Sequence, residues 1–265
     1  MRFAFFTTVY KGTAVKIKKV LVSQPRPEQA QSPYLRMADK LGLEMVFRPF
    51  IQVEGLTAYE FRKQKIDFAK FPSIVFTTRT AVDHFFRIAE EIRYTVPETT
   101  RYFCTSEQVA LYLQKYTIYR KRKIFFPEDG ELKTLIKSMQ RFKTERFLIP
   151  LSDVHKADIP RDIRKEGIRL TKVILYRTVS SPLQDLDINT FDALVFYSPQ
   201  GIKSLQENFP NFEQGDKVIA AFGKSTHNAV KRAGYTLQVA VPTAACKSMT
   251  EALEHFIAEN NTKKK

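Results

Sequence analysis

The stretch Val75-Phe76-Thr77-Thr78-Arg79-Thr80-Ala81-Val82 recurs 120 residues later as Val195-Phe196-Tyr197-Ser198-Pro199-Gln200-Gly201-Ile202. Each copy is an apolar strand candidate, a small polar turn and the start of a helical pattern. The next unit in each half repeats as well. Phe103-Cys104-Thr105-Ser106-Glu107-Gln108 is echoed by Ala221-Phe222-Gly223-Lys224-Ser225-Thr226, 118 residues on. Two units in the same order at nearly the same offset mark an internal repeat. Outward from them, short β-branched runs predict strands at Lys19–Ser23, Glu44–Phe50, Ile74–Thr77, Tyr102–Cys104, Lys123–Phe126, Phe147–Leu151, Arg169–Tyr176, Ala193–Tyr197, Lys217–Phe222 and Leu237–Ala240. Helical spacing fills most gaps between them, notably Tyr34–Leu41, Thr80–Glu91, Glu107–Gln114, Glu131–Met139, Arg161–Glu166, Gly201–Asn208, Thr226–Ala233 and Ser248–Glu259. Alternation of this kind means βα units and parallel sheets, an α/β fold. The strand candidates exceed what one small sheet holds. Two similar parallel-sheet domains with a cleft between them are therefore expected.

Composition narrows the class. The 265 residues are 43% apolar, with 22 Phe and 11 Tyr, enough for real cores. No apolar run approaches the ~20 residues that span a bilayer, so no membrane partner is expected. The N-terminus lacks a secretory pattern, because lysines follow its short apolar part where a cleavage site should stand. With two cysteines, Cys104 and Cys246, no disulfide framework is expected, and a reducing cytoplasm fits. The net charge of +15 points to a polyanionic partner. No helix-turn-helix, zinc-finger or RNP-type signature accompanies it, so nucleic acid is not the expected one.

The repeated turns carry the chemistry. Each sets Ser or Thr where a strand's carboxyl end meets a helix N-terminus, and free N–H groups and the positive helix pole favour carboxylates or phosphates there. For one turn, plain N-capping explains a hydroxyl as well. Four such turns around one cleft favour a ligand. His84, His155, His227 and His255 lie far apart, without metal-ligand spacing, so no metal is expected. There is no G-x-S-x-G elbow, no P-loop and no G-x-G-x-x-G after a strand, so no nucleotide or other cofactor is expected.

These residues resemble the uroporphyrinogen-III synthase family from about Lys19 to Leu253. Ser32-Pro33-Tyr34-Leu35-Arg36, Leu41-Gly42-Leu43-Glu44 and Pro49 are similar to its first helix and second strand. Phe76-Thr77-Thr78 with Ala81-Val82 resembles its F-T-S-x-x-A-V turn. Tyr197-Ser198-Pro199-Gln200-Gly201 resembles F-[TS]-S-P-x-[GA], and Ala220–Thr226 resembles A-x-I-G-x-[TS]-[TA]. Leu175–Val179 resembles the V-Y-x-T strand. No single motif is specific; their order and spacing are.

The resemblance implies two flavodoxin/Rossmann-like domains joined by a two-stranded connector. One domain would be discontinuous, residues 17–48 plus 178–258; the other would be inserted, residues 52–170. The connectors would lie around Pro49–Val53 and Thr171–Arg177, with tails at 1–16 and 259–265. It implies cofactor-independent cyclisation of hydroxymethylbilane to uroporphyrinogen III with inversion of the last pyrrole ring, by a monomer. Tyr176 falls on the family's strand Tyr and becomes the candidate catalytic proton donor, against a reading as a half-buried strand aromatic. Thr77, Thr78, Ser198, Gly223, Lys224, Ser225 and Thr226 become candidate substrate-binding residues, Thr226 foremost in the last turn. The chain departs from the pattern at Ser23-Gln24-Pro25, where bacterial members often have T-R-P, and at Thr105 and Gln108, where G-x-x-T is common. One rival reading is a non-catalytic module of the same fold that binds a polyanion such as a tetrapyrrole or nucleic acid. A periplasmic-type sensor is a weaker rival, since no signal peptide is recognised.

Overall fold

A computed structural model describes residues 16–29, 31–244 and 246–262. The expected tails at 1–16 and 259–265 thus lie outside the described residues except for Lys16 and residues 259–262. The chain divides into two compact units. One comprises the residues up to Gln52 and from Val179 onward, and the other is Val53–Thr178.

The first unit contains β1 (Lys19–Val22), α1 (Pro33–Leu41) and β2 (Glu44–Phe47). Its later elements are β9 (Ala193–Phe196), α7 (Pro199–Asn208), β10 (Val218–Phe222), α8 (Lys224–Arg232), β11 (Val239–Val241) and α9 (Met249–Thr262). Its five strands are all parallel, in the order β11-β10-β9-β1-β2. This is the flavodoxin-like order, whose switch point lies between the first and third strands, here β1 and β9. Both faces of the sheet are covered. Ile17, Met37, Leu253 and Ile257 pack on one side, and Leu21, Leu194, Ile202 and Val230 on the other. A strand buried on both faces must be apolar throughout, and Ala193-Leu194-Val195-Phe196 is fully buried.

Between β2 and β9 the chain forms β3 (Ile51–Gly55), α2 (Ala58–Lys63), β4 (Ser73–Phe76), α3 (Arg79–Glu91), β5 (Arg101–Cys104), α4 (Glu107–Tyr112) and β6 (Ile124–Phe125). It continues through α5 (Leu132–Gln140), β7 (Phe147–Ser152), α6 (Asp158–Lys165) and β8 (Leu170–Ser180). The sheet order is β3-β8-β7-β4-β5-β6. The pairs from β8 to β6 are parallel and follow the Rossmann order, with the switch between β4 and β7. The chain passes from one unit to the other within β3 and back within β8, which are neighbours in this sheet.

The expected strands and helices are matched, with four differences. An eleventh strand, β3, forms where the alternation of Ile51, Val53 and Gly55 is too weak to register alone. α2 was not expected, although Thr57 and Glu60 form a complete capping box at its start. α6 begins at Asp158 rather than Arg161, because Pro160 sits in the first turn, where its missing N–H costs nothing. At the C-terminus, α9 runs to Thr262, past the expected start of a tail, and the Asn261 side chain accepts from the Ile17 N–H at 3.0 Å.

In the inserted unit Phe85 is completely buried, with its ring 4.8 Å from that of Phe68 and 5.6 Å from that of Phe76. Phe85→Ala should lower the unfolding free energy by about 3–5 kcal/mol in chemical denaturation followed by circular dichroism. A loss below about 1 kcal/mol would refute this packing.

Candidate active site

In open parallel sheets the reacting groups collect where strands end and helices begin. Three of the four repeated turns follow one design. Thr78, Ser106 and Ser198 are extended residues whose hydroxyls accept from the N–H of Ala81 (3.0 Å), Val109 (3.4 Å) and Gly201 (3.2 Å). The cap satisfies one of the four N–H groups that each helix start leaves unpaired. The fourth turn departs from the expectation. Gly223, at φ 86°, is itself the N-cap of α8, and no side chain caps the helix. That left-handed backbone suits glycine. Lys224 and Ser225 follow as exposed residues. Thr226 instead points inward, 1% exposed, and its Oγ1 has no hydrogen-bond partner among the described residues.

In the inserted unit, Thr77 and Thr78 lie at the switch point. Thr105 Oγ1 donates to the Thr77 carbonyl at 3.2 Å, so the second turn braces the first. Tyr176 arrives from β8 through a register irregularity. Leu151 pairs with Ile174, but Ser152 pairs with Tyr176, and Leu175 is the extra residue. Strict alternation would send Leu175 and Tyr176 to opposite faces. With the irregularity both pack in the same cluster as Phe76, Ala81 and Phe85. Tyr176 Oη reaches 3.3 Å from Thr78 Oγ1. The residue is 7% exposed, and burial raises its pKa above 10, an effect that the Thr78 hydroxyl partly offsets.

The sequence did not single out His84. Its ring stacks on that of Tyr176, with centroids 5.0 Å apart and planes 18° apart. Burial lowers its pKa, the neighbouring Arg87 lowers it further, and Asp83 opposes both. Histidine spacing along the chain carries no signal for such a contact. Asp83 itself stays a carboxylate. Burial works against that, but hydrogen bonds from Tyr116, Lys115 and Tyr112 prevail. A cavity of about 410 Å³ lined by Phe86, Tyr94, Val96 and Tyr116 shares Arg87 with this region but contains none of the expected site residues.

In the other unit, Ser23 at the end of β1 and Ser198 at the end of β9 flank the switch point. Their hydroxyls both lie 3.8 Å from where a Cβ would stand on Gly201. The hydroxyls of Tyr34 and Tyr197 share a hydrogen bond, and the Tyr197 ring stacks on Phe222 at 5.8 Å. Burial, then Tyr197, raises the Tyr34 pKa, and burial also raises that of Tyr197. Tyr34 and Tyr197 were legible only as parts of motifs, not as a pair. His227 Nε2 lies 2.9 Å from the Ala221 carbonyl and 3.0 Å from that of Val241, a structural tie. Among the described residues no group of three His, Cys, Asp or Glu side chains converges to hold a metal.

A family model described as uroporphyrinogen-III synthase HemD matches residues 32–251. The chain belongs to the uroporphyrinogen-III synthase family. Its fold is similar to that of uroporphyrinogen-III synthetase from Helicobacter pylori, with a TM-score of 0.53 and 14% identity over 92% of this chain and 100% of that one. A mutant uroporphyrinogen III synthase of the extremely thermophilic bacterium Thermus thermophilus matches with a TM-score of 0.47 and 17% identity, over 94% of this chain and 100% of that one. No curated protein matches the chain. Within the family fold, the hydroxyl turns and Tyr176 occupy the carboxyl ends of the two sheets, the part of such folds where ligands bind. No helix among the described residues is long and apolar enough to cross a membrane.

The inward turn of Thr226 has a direct test. Removing an unsatisfied buried hydroxyl while keeping the side-chain shape should leave stability unchanged or raise it by up to about 1–3 kcal/mol. Thr226→Val, followed by urea denaturation, checks this, and a clear loss of stability would mean that the hydroxyl has a partner.

Proposed function

We propose that this chain cyclises hydroxymethylbilane to uroporphyrinogen III, with Tyr176 as the acid that releases the terminal hydroxyl. The observation that carries the reading is the placement of Tyr176 Oη 3.3 Å from Thr78 Oγ1, at the N-terminus of α3, in a chain of this family. Thr78 Oγ1 already accepts the Ala81 N–H. Donating its own proton to Tyr176 Oη leaves the phenol proton directed to the substrate. That proton passes to the hydroxyl of the hydroxymethyl group, the C–O bond breaks, and water departs. The resulting cation is attacked by the far pyrrole at its already substituted α-carbon, giving a spiro intermediate. The bond from that carbon to the neighbouring methylene then breaks, and the methylene cation so released is captured by the free α-carbon of the same ring, which is thereby inverted. The carbon that closes the macrocycle ends by losing a proton, and this proton restores the phenol. No net acid or base is consumed.

Binding rests on charge and on helix starts. The substrate carries eight carboxylates, and a chain of net charge +15 draws such a polyanion in and speeds encounter. Thr77, Thr78 and Ser198 present hydroxyls beside helix N-termini, and Lys224 and Ser225 add an exposed cation and hydroxyl at the start of α8. Gly223 keeps the first N–H groups of α8 open, so Thr226 contributes through its backbone rather than its hydroxyl. We assign the reaction to a monomer in the cytoplasm, in keeping with two free cysteines.

The test couples the chain to a source of hydroxymethylbilane and separates the oxidised isomers. Isomer III should dominate, whereas isomer I alone, the product of spontaneous closure, would leave a polyanion-binding module without catalysis. Tyr176→Phe should lower kcat about 10²–10⁴-fold with little change in KM, the usual worth of a positioned acid. The pH profile carries a second expectation. The acid is active while protonated, and its pKa lies above 10, so the rate should show no Tyr176-dependent fall through about pH 9 and should decline only above 10. An alkaline limb centred below about 9 that disappears in Tyr176→Phe would contradict the assignment.

A further inference from the structure

The hydroxyl contact that aims Tyr176 is too weak to hold it. At 3.3 Å between two oxygens it lies well beyond the usual O–H···O separation of about 2.7–2.8 Å. The ring must therefore be held through its faces. One face is covered by His84, 5.0 Å away and nearly parallel.

His84 is itself fixed by Arg87, one turn further along α3. Arg87 Nε donates to His84 Nδ1 at 3.2 Å. Its Nη2 donates to the Leu56 carbonyl at 2.6 Å, and its Nη1 pairs with Glu91. The Leu56 N–H in turn donates to the carbonyl of Leu175, the residue before Tyr176, at 2.9 Å. The contacts close a circuit from α3 through the end of β3 to β8 and back across the two rings. Gly55 leaves room for it. A Cβ there would stand 2.6 Å from Arg87 Nη2 and 2.8 Å from His84 Nδ1. Because Nδ1 accepts, its lone pair is free and the ring is the neutral tautomer protonated at Nε2. An imidazolium could not accept from a guanidinium.

We propose that His84 is a positioning residue for Tyr176, held flat against the phenol ring by an Arg87 strut for which Gly55 makes room. It does not touch the reacting atoms. It acts by keeping the Tyr176 hydroxyl over the start of α3. The proposal rests on the reading of Tyr176 as the acid.

The experiment compares His84→Ala, His84→Phe, Gly55→Ala, Tyr176→Phe and the double variant His84→Ala/Tyr176→Phe in the bilane cyclisation assay. Thermal melts confirm that each is folded. His84→Ala should lower kcat about 10–100-fold while KM stays within about twofold, the scale of a mispositioned catalytic group. His84→Phe, which keeps a flat ring, should restore most of the rate. Gly55→Ala crowds the end of the flexible Arg87 side chain and the His84 ring rather than backbone, and should lower kcat in the same direction. In the Tyr176→Phe background, His84→Ala should cost less than about twofold, because the group it positions is gone. An equal loss in both backgrounds, or no rescue by Phe, would overturn the proposal. If Tyr176→Phe lowers kcat but His84→Ala does not, the positioning role fails alone. If Tyr176→Phe is itself silent, the acid assignment fails and the positioning role falls with it.

Discussion

A parallel strand that ends in the interior must hand the chain to a helix whose first N–H groups have no partner within that helix. Every repeat of this fold meets that constraint at the same place. Thr78, Ser106 and Ser198 meet it with a hydroxyl, and Gly223 meets it with a left-handed backbone that leaves the N–H groups open. The groups that close the helices structurally are thus the groups left facing solvent at the carboxyl ends of the sheets. A polycarboxylate needs donors of this kind, neutral or positive and fixed in direction. Capping follows from this geometry, and the binding proposed for these turns draws on the same groups.

The placement of Tyr176 depends on a different kind of constraint. The acid role proposed for Tyr176 needs a protonated phenol, which burial favours further by raising its pKa, and burial has the ring share a cluster with Leu175. The register irregularity opposite Leu151 and Ser152 makes that possible. Once the ring is inside, its direction is set by what packs on it, and a long hydroxyl contact to Thr78 leaves most of that work to the face of His84. The tautomer of His84, the path of Arg87 and the bare backbone at Gly55 are then parts of one arrangement rather than separate curiosities of α3.

The legible parts of the fold were those with strong local patterns. Runs such as Ser73–Phe76 and Ala193–Phe196 are buried on both faces and, Ser73 aside, apolar at every position, which is easy to read. β3 was not legible from its own pattern, because Gln52, Val53 and Glu54 are exposed and its pairing is decided by β8, far along the chain; only the family resemblance pointed to a two-stranded connector there. The hydroxyl turns at Thr77–Thr78 and Ser198 were readable from small polar residues between a strand and a helix. Thr226 was legible as a hydroxyl in such a turn but not as one facing inward, because Gly223 starts α8 early and rotates position 226 toward the core.

Alone, the amino-acid sequence determined the alternation of strands and helices, the internal repeat, the basic charge and the four polar turns. These follow from periodicity, chirality and composition, which act over a few residues at a time. Tertiary structure decided which turns share a sheet edge, which face Tyr176 occupies, and that a histidine ninety-two positions before it should lie against its ring. Such contacts depend on strand order and register, and these are set by the packing of both sheet faces at once. No local stretch of the chain contains that information.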